Sequence, residues 1–96
     1  MNFTGKQKAL LRKLANDKPI MFQIGLQGLT ETVISSIKEN LKKHEVGRVA
    51  VLKSCPTDIN DLIIELGEKD IIVVYKIGRV LLLYKENPEL KDRIKL

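Results

Sequence analysis

The feature that most constrains the fold is an alternation along the chain. Segments with helical apolar spacing alternate with short aliphatic segments typical of strands. In residues 5–16 the positions i, i+3, i+4 and i+7 are Gln7, Leu10, Leu11 and Leu14. Thr4 is suited to cap this segment, and the residue before Pro19 is disfavoured in helical conformation. The pattern therefore predicts a first helix over residues 5–16.

The rest of the alternation predicts two more helices and four strands. The second helix follows Thr30 and carries the stripe Val33, Ile34, Ile37 and Leu41. The third, over residues 58–66, is capped by Thr57, and Gly67 is expected just beyond its end. Strands are predicted over residues 20–24, 47–52, 70–77 and 80–85. The turn Gly78-Arg79 joins the last two as a hairpin.

The order α-β-α-β-α-β-β predicts an α/β fold with a mixed four-stranded sheet in two layers. Strands connected by a helix are expected to be parallel, and the hairpin makes the last pair antiparallel. The run of residues 71–74 is apolar without alternation, which indicates a central third strand. Since 96 residues fit one domain, we expect a single unit over 1–96, with a core at about 3–85 and a polar tail at 87–96.

Positive charge is concentrated in the first half of the chain. Residues 1–48 hold nine basic and four acidic side chains, and residues 49–96 hold eight of each. The first helix carries Lys6, Lys8, Arg12 and Lys13 without an acid up to residue 16. Residues 57–70 carry five acids against Lys69. A polyanion is therefore expected to bind the first half, although such a helix face is in many proteins only solvated.

Three segments are expected to meet where the parallel strands end. They are the loop Gly25-Leu26-Gln27-Gly28, residues 53–56 and the turn Gly78-Arg79. Glycines let a phosphodiester backbone approach the main chain, as in the G-x-x-G loop of KH domains. Two glycines are also common in ordinary turns, but the acid-free first helix favours nucleic-acid binding. If that helix runs antiparallel to the first strand, Lys6 and Lys8 return toward the loop, and Arg79 is a further candidate.

Three blocks of sequence resemble one known family. They are Phe3-Thr4-Gly5-Lys6-Gln7-Lys8 with Leu11-Arg12, then Phe22-Gln23-Ile24-Gly25-Leu26-Gln27-Gly28-Leu29-Thr30, then Ile77-Gly78-Arg79-Val80-Leu81-Leu82-Leu83-Tyr84. The blocks stand in the order found in the YhbY-type bacterial proteins, which are single-domain members of the CRM (chloroplast RNA splicing and ribosome maturation) family. The resemblance extends from Phe3 to about Lys85.

The resemblance implies an RNA-binding domain with a fold like the C-terminal domain of translation initiation factor three, acting on precursors of the large ribosomal subunit. It maps the family's G-x-x-G loop onto residues 25–28 and its basic helix onto residues 6–13. One position departs from the family pattern, because the first variable loop residue, often lysine there, is Leu26 here. A charged phosphate contact from the loop itself is thereby weakened, and backbone amides and Gln27 would serve instead.

Catalytic, cofactor and metal sites are not indicated by the sequence. His44 has no apparent nucleophilic partner, and one histidine with the single Cys55 gives too few ligands for a typical metal site. We therefore expect a non-enzymatic protein without a cofactor. Since the longest aliphatic-aromatic runs have five residues and the single cysteine suits a reducing compartment, we also expect a cytoplasmic location, no membrane partner and a monomeric state. The alternative is a protein–protein adaptor that docks on ribosomal particles or an assembly GTPase through the acidic third helix.

Overall fold

The computed structural model describes residues 3–87 and residue 89. Its helices are α1 (Gly5–Asn16), α2 (Glu31–His44) and α3 (Ile59–Glu68). Its strands are β1 (Ile20–Ile24), β2 (Val46–Val51), β3 (Ile72–Ile77) and β4 (Val80–Tyr84). The predicted order of elements is confirmed. The predicted tail over 87–96 lies outside the described residues except at positions 87 and 89.

The four strands form one mixed sheet in the order β1-β2-β4-β3. β1 and β2 are parallel, and β4 is antiparallel to both β2 and β3. The prediction of a central β3 is wrong, because the hairpin places β4 between β2 and β3. β4 has four buried residues in its five positions, whereas β3 ends in exposed Lys76 and Ile77. An apolar run therefore does not fix the place of a strand in the sheet, since β4 carries such a run as well and is the more buried of the two.

Helices cover both faces of the sheet, so the expected two layers are corrected to three. Leu81 and Leu83 of β4 belong to one apolar cluster, together with residues of α2 and α3. Leu82 and Tyr84 belong to a second cluster, together with Leu11 and residue 15 of α1. Since successive side chains of a strand point to opposite faces, α1 lies on one face and α2 and α3 lie on the other.

Hydrogen bonds at the helix starts explain two of the boundaries. The Gln7 N–H donates to Thr4 Oγ1 at 3.1 Å, and the Thr4 N–H donates to Gln7 Oε1 at 2.9 Å. This reciprocal pair is a capping box, so Gln7 stands in the apolar stripe because it closes the helix end. The Val33 N–H likewise donates to Thr30 Oγ1. Within α1 the buried residues are Leu11 and Ala15, and the predicted core residue Leu10 is 37% exposed.

Both ends of α3 differ from the prediction. Asp58, rather than Thr57, caps the helix, since its carboxylate accepts a hydrogen bond from the Asn60 N–H. The helix continues through Gly67 and ends at Glu68, with Lys69 as its C-cap and Asp70, which has a φ of 64°, following. The Ile71 N–H donates to the Leu66 carbonyl, and the Asp70 N–H donates to the Gly67 carbonyl. This is a Schellman arrangement, and it places the left-handed residue at Asp70.

Candidate nucleic-acid interface

The three segments predicted to share a sheet edge do meet there. The Leu52 N–H donates to the Ile24 carbonyl at 2.8 Å, which joins the exits of β1 and β2. The Val51 N–H donates to the Arg79 carbonyl at 2.7 Å, which joins the β2 exit to the β3–β4 turn. We refer to this edge, formed by residues 25–28, 52–57 and 78–79, as the loop edge.

The G-x-x-G loop forms a tight turn with two exposed side chains at its tip. The Gly28 N–H donates to the Gly25 carbonyl at 2.9 Å, and Gly28 has a φ of 66°. A Cβ on Gly25 would lie 3.3 Å from Leu52 Cδ1, so the two segments are closely packed. Leu26 is 75% exposed, and Gln27 is also exposed. The loop therefore presents one apolar and one amide side chain to solvent.

The loop edge is electrically uneven, with acidic side chains on the side of α2 and α3. Glu31 lies in the first turn of α2, where a carboxylate interacts favourably with the helix dipole and opposes a phosphate. Asp58 follows Thr57, whose Oγ1 would lie 3.8 Å from a Cβ on Gly28. The sequence prediction assigned phosphate binding to the glycine loop, which directly precedes α2, and did not consider Glu31. A polyanion at the loop is therefore favoured on the side of the sheet that carries α1.

Arg79 holds the hairpin turn against the exit of β2. Its Nε donates to the Val51 carbonyl at 2.8 Å, and its Nη2 donates to the Leu52 carbonyl at 3.0 Å. The residue as a whole is exposed, so the guanidinium can also meet an anion from solvent. The structure thus gives Arg79 a positioning role, and its contact with nucleic acid stays a prediction.

The four basic residues of α1 divide into two pairs. Lys6 and Lys13, seven positions apart, are both exposed on the outer face. Lys8 is half-buried, and the Arg12 guanidinium lies 5.6 Å from the centre of the Tyr75 ring, within cation–π range. Residues four apart share a helix face, so Lys8 and Arg12 lie on the flank of α1 next to the sheet.

The expectation that Lys6 and Lys8 return to the G-x-x-G loop is wrong. The Phe3 and Tyr84 rings pack edge to face with centroids 5.5 Å apart. Tyr84 pairs with Val46 and Ile72, where β2 and β3 begin, at the edge opposite the loop. Packing of the half-buried Phe3 there holds the start of α1 at that far edge.

Arg12, further along α1, lies nearer the loop edge. It shares a pocket with Ile77 and Val80, which flank the hairpin turn. Of the predicted cationic residues, the structure therefore brings Arg12 and Arg79 toward the same edge.

One basic residue beside this site was missed by the sequence analysis. Arg48 lies in the middle of β2, and its Nη2 donates to the Lys18 carbonyl at 2.6 Å. Its Nε is buried and has no hydrogen-bond partner among the described residues. The signal for it was present in the sequence, as a lone arginine within an otherwise aliphatic strand.

Metal-binding clusters and membrane-spanning helices are absent from the described residues. The described part of the chain contains no group of three or more His, Cys, Asp and Glu side chains that could hold a metal ion. Among its helices, none has both the length and the apolar character needed to span a membrane.

Comparisons with known families and proteins point to the same family. The model of the CRS1 / YhbY (CRM) domain family matches residues 3–85. The chain is 39% identical over 91 residues to "Probable RNA-binding protein YqeI" of Bacillus subtilis (strain 168), covering 93% of this chain and 94% of that protein. It is 34% identical over 91 residues to an RNA-binding protein of Haemophilus influenzae, covering 93% and 91% of the two chains.

A solved structure shares the fold. It is the solution structure of the hypothetical protein SAV1595 from Staphylococcus aureus, which is 35% identical to this chain. The two superimpose with a TM-score of 0.74 over 97% of this chain and 98% of the other. The expected likeness to the C-terminal domain of initiation factor three stays a prediction.

Proposed function

Because the chain belongs to the CRS1/YhbY (CRM) domain family, we propose that it is a non-enzymatic RNA-binding protein that contacts structured ribosomal RNA during assembly of the large ribosomal subunit. The observation that carries the proposal is the loop edge. There an exposed G-x-x-G turn lies beside a hairpin held by Arg79, and a helix with four cations and no acid crosses the adjoining face.

The division of charge suggests how RNA would lie on this surface. The backbone of one strand would pass over the half-buried Gly25, where no Cβ stands in its way, and beside the exposed Leu26 and Gln27. The carboxylates of Glu31 and Asp58 would repel a phosphate backbone that continued toward α2 and α3. The guanidinium groups of Arg79 and Arg12 would attract it toward the face that carries α1. Lys6 and Lys13, exposed on the outside of α1, would add longer-range attraction for a large, folded RNA.

The choice of RNA as the ligand is supported by the relatives, two of which carry RNA binding in their names. The narrower target, ribosomal RNA in precursors of the large subunit, follows from the likeness to YhbY-type proteins. An abundant structured RNA also suits a small domain with few aromatic side chains, because it offers closely spaced phosphates for shape and charge recognition.

Sedimentation of cell lysate through a sucrose gradient at low magnesium tests the target. We expect the wild-type protein to migrate with precursors of the large subunit. We expect it to leave them after RNase treatment and in a variant with Lys6, Lys8, Arg12 and Lys13 replaced by Gln. A variant with the exposed Lys42 and Lys43 replaced by Gln controls for loss of surface charge. Wild-type protein that stays at the top of every gradient would contradict the ribosomal target.

One observation favours the alternative of a protein–protein adaptor. Ile64 on α3 is 62% exposed, and it lies among the acidic side chains of that helix. An Ile64→Glu variant would lose a protein partner bound there, whereas its binding to RNA on the opposite face would persist. Retention of the variant on precursor particles after sedimentation therefore supports RNA contact over the adaptor.

A further inference from the structure

A small open pocket lies on the α1 face of the sheet, directly beside the hairpin turn. It has a volume of about 230 Å³ and is lined by Arg12, Asn16, Arg48, Ile77, Val80 and Leu82. Val80 follows Arg79 in the chain, so the pocket adjoins the loop edge. Pockets for drug-sized ligands have volumes of about 300–1,000 Å³, so this one suits a single small ring system.

The floor of the pocket is apolar, and its rim is cationic. Leu82 is buried, Val80 is half-buried and Ile77 is 47% exposed, so the apolar surface rises from the sheet to solvent. Arg12 and Arg48 stand on the α1 and β2 sides, and none of the six lining residues is acidic. The pocket therefore combines a surface for a flat apolar ring with two positive charges.

The two guanidinium groups are held in place before any ligand arrives. The Nη2 of Arg48 is fixed by the Lys18 carbonyl at 2.6 Å, which leaves its buried Nε without a partner among the described residues. Arg12 lies over the Tyr75 ring. Each guanidinium carries several N–H donors, so the exposed Arg12 and the pocket-lining part of Arg48 can still donate to an acceptor that enters the pocket. Asn16 adds an amide that can both donate and accept.

We propose that this pocket takes one unpaired nucleotide of the bound RNA. The base lies against Ile77, Val80 and Leu82, and its acceptors or its phosphate meet the Arg48 and Arg12 guanidinium groups. The inference rests on the proposed RNA binding and deepens it, since it names an unpaired nucleotide next to a helical segment as the feature recognised. A free nucleoside monophosphate carries the same base and phosphate groups as a nucleotide of RNA. The experiment below distinguishes a nucleotide within RNA from a free one.

The experiment compares two RNA duplexes that differ only in one bulged adenosine. Binding is measured by fluorescence anisotropy for the wild type, for Ile77→Glu and for Ile64→Glu. The last is a matched control, because Ile64 is 62% exposed on the opposite face. Burial of part of a base against apolar side chains predicts that the wild type binds the bulged duplex about fivefold more tightly or better. Ile77→Glu should abolish that preference, and Ile64→Glu should retain it.

Each outcome has a distinct meaning. Equal wild-type affinity for the two duplexes, or a preference that survives in Ile77→Glu, overturns the pocket assignment and leaves RNA binding at the loop edge intact. Failure of the wild type to bind either duplex overturns the proposed function together with the pocket. A parallel NMR titration tests the free nucleotide. If micromolar AMP perturbs the Ile77 and Val80 amides while the wild-type protein binds both duplexes equally, the pocket is assigned to a free nucleotide instead.

Discussion

Arg79 and Val51 are joined by two reciprocal hydrogen bonds. The Val51 N–H donates to the Arg79 carbonyl at 2.7 Å, and the Arg79 Nε donates to the Val51 carbonyl at 2.8 Å. A third bond, from Arg79 Nη2 to the Leu52 carbonyl, extends the contact beyond the end of β2. The hairpin turn is thereby fixed next to the segment that packs on Gly25. The proposed RNA surface is therefore a set of loops whose relative positions are held by hydrogen bonds of the backbone and of the Arg79 side chain.

Replacement of Arg79 separates its positioning role from its charge. We expect Arg79→Met to lower the free energy of unfolding by about 1 kcal/mol, because two backbone carbonyls lose a donor. Arg79→Lys keeps the positive charge but lacks the planar guanidinium group that donates to both carbonyls, so this variant should lose a similar amount of stability. Urea denaturation of the three proteins measures the effect. Wild-type stability in Arg79→Met would contradict the positioning role.

Gly28→Ala tests the backbone conformation of the loop. Gly28 has a φ of 66°, which costs a residue with a Cβ about 1–2 kcal/mol. Gly25→Ala is the matched control, since its Cβ would meet the flexible end of Leu52 at 3.3 Å without a positive φ. Thermal denaturation should show a clearly larger loss for Gly28→Ala. Equal losses for the two variants would mean that the turn adopts another conformation.

Leu26→Lys tests whether the loop tip faces RNA. Leu26 is 75% exposed, so the substitution should change the free energy of unfolding by less than about 0.5 kcal/mol. A new phosphate contact there should tighten RNA binding and steepen the dependence of log K on log salt by about 0.7–0.9. Ile64→Lys adds the same charge on α3 and serves as the control. An identical gain in both variants would indicate a general charge effect.

Asp70→Gly tests the Schellman arrangement at the end of α3. Asp70 has a φ of 64°, a conformation that glycine adopts at lower cost. We expect the substitution to raise the free energy of unfolding by about 0.5–1 kcal/mol, because relief of the left-handed conformation exceeds the additional chain entropy that glycine loses on folding. Lys69→Gly, at a residue with φ of −100°, should instead be destabilising. A loss of stability in Asp70→Gly, measured by urea denaturation, would argue against this helix end.

Local structure could be predicted from the sequence because its signals are local. Thr4 and Thr30 were predicted as helix caps, and both accept the backbone N–H that this role requires. The hairpin at Gly78-Arg79 was found because a two-residue turn leaves few alternatives. The end of α3 was missed because Gly67 is exposed and tolerated within the helix, while the left-handed residue is Asp70.

The errors in the site arose from tertiary packing. The direction of α1 depends on where Phe3 packs, and its partner Tyr84 lies 81 positions further along the chain. The place of β4 between β2 and β3 depends on pairing between strands, which the apolar runs do not specify. Arg48 was overlooked for a related reason, since its neighbours Lys18 and Arg12 come from other elements.

The salt dependence of RNA binding tests the central claim most directly. With roughly four phosphates neutralised, log K for a structured ribosomal RNA fragment should fall with log salt at a slope of about −3 to −4. Replacing Lys6, Lys8, Arg12 and Lys13 together by Gln should remove most of that slope. Among two-charge variants, Lys6→Gln with Lys13→Gln should flatten it, and Lys42→Gln with Lys43→Gln should not. A slope unchanged in the fourfold variant would contradict the assignment of the RNA surface to α1 and the loop edge.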